Sequence, residues 1–226
     1  MTTSRYALSV GLILSLCVSS PTWSEEGNGI RPLRSTLEEA LRTLPVGTHV
    51  LLDGAEIERY LSALDDVPPD WKLVYGGGHH DPGHDERLFA LNRERDGKRS
   101  TREALAWPLA FLWEGQLSAF DVVEQGFRVA LGPKIVKTGW GFVRFKYDDL
   151  PARLVALAGP ATQVLKERIT RGGPVEVDVL LFGRLIPEES VIYEFSHDEE
   201  GAGLIMPVVR IESVDYALKD SPEAAR

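Results

Sequence analysis

Residues 79–86 read His-His-Asp-Pro-Gly-His-Asp-Glu, which places three imidazoles (His79, His80, His84) and three carboxylates in eight positions. Both groups are ligands for borderline metals such as zinc, copper or nickel, so the run is a candidate transition-metal site. Its spacing matches no catalytic signature. His80 and His84 stand four apart, a separation that aligns ligands only on a helix, and Pro82-Gly83 between them reads as a turn. A solvated polar loop explains the composition without any metal.

Ser196-His197-Asp198-Glu199-Glu200 holds the residue types of a hydrolytic triad. Adjacency in sequence does not build one, because the nucleophile needs a sharp elbow and a base aimed at it. No G-x-S-x-G is present, and Gly201-Ala202-Gly203 after the acids reads as a hairpin loop. Gly76-Gly77-Gly78 lacks the lysine and hydroxyl of a phosphate-binding loop and the spacing of a dinucleotide fingerprint. No nucleotide cofactor is implied, and the pattern leans away from an enzyme.

The third candidate is a face. Val143, Phe145 and Tyr147 alternate with Phe142, Arg144 and Lys146. If the first set points inward, Trp140, Phe142, Arg144 and Lys146 point outward, and Arg128 on the preceding strand joins them. Rings of this kind stack on sugars or bases, and the cations pair with phosphates or carboxylates. The opposing reading buries Trp140 and Phe142 under helices of the 150–171 region and pairs Arg144 and Lys146 with nearby acids, as is usual for large aromatics.

These groups are positioned by three regions of different character. Residues 25–75 read as helical. Ser35 and Glu38, then Asp53 and Glu56, have the spacing of capping boxes. Leu37, Ala40, Leu41 and Leu44 follow the first, and Ile57, Tyr60, Leu61 and Leu64 the second, with Val50-Leu51-Leu52 as a short strand between. Residues 76–106 are polar and read as a long surface loop, with Asp96-Gly97-Lys98-Arg99 as a turn.

Residues 107–217 read as mostly β. Alternation runs from Leu109 to Ala119, from Phe127 to Leu131, from Val175 to Leu181, from Val191 to Phe195, and in a last strand from about Leu204 to Tyr216. Pro151 and Pro160 each open a short helical stretch before Gly172-Gly173. Met206-Pro207 implies an edge or a bulge in the last strand. Residues 218–226 read as a flexible tail. The order is three strands, a helical connection, then more strands. The expected class is α+β, with N-terminal helices and a mostly antiparallel barrel or sheet. Its order is that of an OB-fold, with Ser190–Ser196 as an additional strand.

The N-terminus carries an address. Arg5 precedes an apolar run from Ala7 to Val18, then small residues and Pro21, which together read as a secretory signal cleaved after Ser24. The run is short for a membrane span, which needs about 20 apolar residues. An uncleaved anchor, or lipidation at Cys17 behind an ill-fitting Leu16, are the alternatives. Cleavage removes Cys17, the single cysteine of the chain, and with it any thiol nucleophile, thiolate zinc site or internal disulfide. It also removes Arg5, the one charged residue of 1–24, taking the formal net charge from -9 to -10. An acidic chain is poorly suited to nucleic acid or anionic lipid.

The function expected from sequence is an exported, non-enzymatic binding or accessory module of the bacterial cell envelope, periplasmic or secreted. Its partner would be an envelope protein, a peptide or a saccharide. The alternatives are a metal-binding protein or metal-dependent enzyme using residues 79–86, and a structural subunit of a larger envelope complex.

Overall fold

The fold is taken from a computed structural model that describes residues 29–76, 81–132, 134–196 and 202–219. The signal segment, His79, His80 and residues 197–200 lie outside the described residues.

The alternating apolar segments become strands. β1 (Ile30–Arg34) and β2 (His49–Leu51) come first, followed by β3 (Leu109–Asp121) and β4 (Gly126–Leu131). Three short strands are β5 (Val136–Thr138), β6 (Gly141–Val143) and β7 (Lys146–Asp148). The remainder are β8 (Val155–Leu157), β9 (Glu176–Leu185), β10 (Val191–Phe195) and β11 (Gly203–Leu218). Six of them close a barrel in the order β1-β8-β4-β3-β9-β11, with β11 returning to β1. β1 is parallel to both of its neighbours, and the other barrel pairs are antiparallel. The architecture is mixed α+β and mostly β. Phe111, Trp113, Phe127, Val179, Leu181, Val209, Val214 and Tyr216 belong to the main buried cluster, as a small barrel requires to fill its interior.

β11 changes partners along its length. Gly203–Pro207 pairs with β10, and Leu204 and Ile205 also pair with β6. Beyond Pro207 it pairs with β9 and β7. Pro207 lacks the N–H of an uninterrupted ladder and stands at this changeover. A bulge follows: Ile211 opposes Gly183 and Ser213 opposes Phe182, so Glu212 is the extra residue. The insertion moves the inward phase from Val209 and Ile211 to Val214 and Tyr216, and it turns Ser213 and Asp215 to the outer side.

The helices pack around this barrel. α1 (Leu37–Leu41) lays Leu37, Ala40, Leu41 and nearby Leu44 on Ala110, Leu180 and Ala217 of β3, β9 and β11. Its N-cap is Thr36, one residue beyond the expected Ser35; the Thr36 hydroxyl accepts from the Glu39 N–H, while the Ser35 N–H donates to the Glu39 carboxylate. α2 (Gly54–Asp65) is capped by Asp53, and Ile57, Tyr60, Leu61 and Leu64 are buried as their spacing predicts. α3 (Trp71–Tyr75), α4 (His84–Arg99) and α5 (Thr162–Thr170) complete the set.

Three expectations change. The expected loop over 76–106 contains α4, which runs through Asp96-Gly97-Lys98-Arg99 without a turn. Its inner side is largely polar: beside Leu88 and Leu91, which pack on the core, Arg87, Asn92, Arg95 and Arg99 reach partners in α2, α3 and β10, and His84 reaches the Asp81 carbonyl. A pattern that counts only apolar residues misses such a helix. The region 25–75 is not purely helical, because β1 enters the barrel and β2 pairs with β3. The stretch after Pro151 is the strand β8, which joins β1 to β4.

Candidate functional site

The aromatic and basic face does not assemble. Trp140 is 5% exposed and lies in the main core cluster. Gly141 adopts φ +132, a conformation open to glycine, and this breaks the alternation that would have put Trp140 and Phe142 on one outer side. The Trp71 indole N–H donates to the Trp140 carbonyl at 2.6 Å. Phe142 is half-buried, with Lys137 Nζ 5.6 Å from its ring centre. Val143 and Phe145 are buried as expected, but Tyr147 is 42% exposed. Arg144 and Lys146 are exposed. Arg128 lies on β4, separated from β6 by β3, β9 and β11, and pairs with Asp121 of its own hairpin at 3.1 Å.

Of the histidine run, His84 is described. Its Nδ1 is 2.6 Å from the Asp81 carbonyl, its Nε2 is 3.1 Å from Asp85, and its ring sits edge-on to Phe195 at 4.8 Å. Both ring nitrogens are therefore engaged at the start of α4. Among the described residues no group of three or more metal-ligating side chains converges. Ser196 is buried at the end of β10, where its carbonyl accepts from Tyr75.

Charge converges elsewhere. A cleft of about 860 Å³ opens on the outer side of the barrel, within the size range of small-molecule sites. Arg31 and Arg34 come from β1, Arg184 from β9 and Arg210 from β11. Thr43 and Pro45 after α1 form one wall, and Asp149–Ala152 form another.

Arg184 and Arg210 are directly opposite in the β9–β11 register, where like charges repel. Arg184 pairs with Glu212, the bulge residue, and Arg210 Nε lies 3.2 Å from Asp149. All four of these side chains are solvent-exposed, so the two pairs are weak and exchangeable. Gly183 permits this packing, because a Cβ there would fall 2.0 Å from the Arg210 carbonyl.

The other end of the cleft is less exposed. Asp215 is buried and accepts a hydrogen bond from the Thr43 hydroxyl at 3.2 Å. Burial pushes its carboxyl above the ordinary range; the Thr43 hydrogen bond and the charges of Arg31 and Arg34 pull it down without cancelling the effect. Arg34 Nε is buried and makes no hydrogen bond. Such a donor carries a desolvation cost that an oxyanion would relieve.

No protein-family model, curated protein or solved structure shows significant similarity to this chain. The cleft is therefore read from its own chemistry. Guanidinium groups bind carboxylates and phosphates through paired N–H donors.

Sequence reasoning passed over all four arginines and Asp215. A faint signal was available: Arg184, Arg210 and Asp215 each interrupt an apolar strand pattern. Arg31 is 179 positions from Arg210, however, and only barrel closure through β1 brings them to one cleft.

Proposed function

We propose that this protein is an exported, non-catalytic binding module of the bacterial cell envelope that holds an anionic ligand in the arginine cleft. The observation that carries the reading is the convergence of Arg31, Arg34, Arg184 and Arg210 on one cleft, in a chain whose formal charge is -9. An acidic protein that keeps two arginines face to face across a strand pair bears an electrostatic cost there, and costs of this kind concentrate at functional sites. Export rests on the N-terminal segment, whose basic start, apolar run and small residues have the pattern of a secretory signal.

The finer fold reading is an OB-like barrel. The order β3-β4-β8, then α5, then β9 and β11 supports it, with β1 as an added sixth strand between β8 and β11.

Calorimetric titration of the purified mature protein with citrate and with inorganic phosphate tests the binding reading. Wild type should release or absorb heat with at least one of them, and Arg34→Gln/Arg184→Gln should lose most of the signal. No binding of either anion, or equal binding by the variant, would overturn it. Export is tested separately by fractionation and by the mass of the mature chain, which should begin after Ser24.

A further inference from the structure

Resting on the anionic-ligand reading above, we propose that the cleft is a two-point site for an extended ligand with oxyanion groups spaced along it, a linear oligoanion.

The four cations fall into two pairs. Arg184 and Arg210 face each other across β9 and β11. Arg31 and Arg34 lie on β1, and both act electrostatically on Asp215. Arg210 and Asp215 are both on β11, with the bulge residue Glu212 between them. At about 3.3 Å of rise per residue, with one residue taken up by the bulge, Arg210 and Asp215 stand about 13 Å apart along β11. A small monoanion matches one pair and leaves the other unmatched.

Each pair has an internal counter-ion that an incoming anion can replace or neutralise. At the outer pair these are Glu212 and Asp149, held in exposed ion pairs. At the inner pair it is Asp215, whose raised affinity for a proton eases the loss of its charge when a ligand anion arrives. Pro32, Leu150 and Pro151 also line the cleft and provide apolar wall for the uncharged links of the ligand.

Phosphate and carboxylate share this recognition chemistry, and the test separates them. The full chain is titrated with tripolyphosphate and with trigalacturonate, and with phosphate and galacturonate as single-unit controls. Wild type, Arg31→Gln/Arg34→Gln and Arg184→Gln/Arg210→Gln are compared, each checked for an unchanged thermal transition. At least one oligoanion should bind wild type tighter than its single unit by about tenfold or more, as expected when two contacts are linked. Either double variant should bring that oligoanion close to the affinity of the single unit. The arm that shows this effect names the ligand's chemistry.

Asp215→Asn provides an independent sign, because it removes the negative charge on which Arg31 and Arg34 both act and should tighten oligoanion binding several-fold. Proportional weakening of oligomer and single unit in both double variants would overturn the two-point site and leave the anionic cleft standing. Unchanged or weaker binding by Asp215→Asn would also count against it. Failure of every probe to bind wild type would overturn the anionic-ligand reading itself.

Discussion

Asp65 on α2 and Arg99 on α4 form a buried two-point ion pair, with Arg99 Nε and Nη2 each 2.7 Å from a different Asp65 oxygen. Their side chains are 0% and 1% exposed. The Tyr193 hydroxyl donates to the same carboxylate from β10, and Arg99 also donates to the Val191 carbonyl at 2.9 Å. Arg95 adds hydrogen bonds to the carbonyls of Asp65 and Val67. Burial opposes the Arg99 charge, but the hydrogen bond and charge of Asp65 outweigh it and hold its pKa above the ordinary value. Burial likewise pushes the Tyr193 phenol well above its usual range, with Asp65 adding to the effect. The network fastens α2, α4 and β10 into one unit.

Removing one partner strands the other. Arg99→Met or Asp65→Leu alone should cost about 3–5 kcal/mol of stability in chemical denaturation. The double variant should lose clearly less than the sum of the two, because neither member of the Asp65–Arg99 pair is then left facing the other's empty place, although Arg95 still loses its contact with Asp65. Strict additivity would show that the pair is not coupled.

Asn92 treats β10 as a neighbouring strand would. Its amide donates to the Tyr193 carbonyl and its carbonyl accepts from the Tyr193 N–H, both at 2.9 Å. This closes part of an edge that could otherwise pair with another chain. Asn92→Ala should cost about 1–3 kcal/mol and speed hydrogen exchange at the Tyr193 amide. Unaltered exchange there would show that the edge is closed by other means.

Asp215 should give the stability of the fold a pH dependence. Its folded-state pKa is raised from 3.8, so the folded protein holds the proton more tightly than the unfolded chain. Stability from this group is present at low pH and is lost as pH rises from 3.8 through the raised value. Asp215→Asn should therefore melt higher than wild type at pH 7, and the gap should narrow as pH falls toward 4. A gap that does not change with pH would contradict this assignment.

Trp71 lies against the backbone of two glycines. A Cβ on Gly203 would meet its ring at 1.9 Å, and one on Gly141 would meet Nε1 at 3.3 Å. Gly203→Ala should displace the indole, break its hydrogen bond to Trp140 and cost about 1–3 kcal/mol. Tryptophan emission should shift to the red. An unchanged spectrum with full stability would show that the contact relaxes freely.

Much of the β-rich half was readable in the sequence, because alternation marks a half-buried strand wherever it persists. Phe111 and Trp113, Phe127 and Val129, and Val177, Val179 and Leu181 are buried as their spacing predicts. The helices with apolar stripes were equally legible. α4 was not, since Leu88 and Leu91 are its few inward apolar residues and the rest of its inner side is arginines and an asparagine satisfied by partners distant in sequence. β8 was not, because Val155–Leu157 is too short to show a period.

The sequence by itself determined the alternating segments, the caps at Asp53 and the absence of thiol chemistry beyond Cys17, all properties of residue type and short-range spacing. Tertiary structure decided where charge collects. Gly141 turned Trp140 into the core, and the bulge at Glu212 aimed Asp215 outward. Barrel closure by β1 then carried Arg31 and Arg34 to Arg184 and Arg210. The reason is physical: one residue of conformational offset reverses a strand's faces, and a site drawn from the two ends of a chain exists only after the barrel closes.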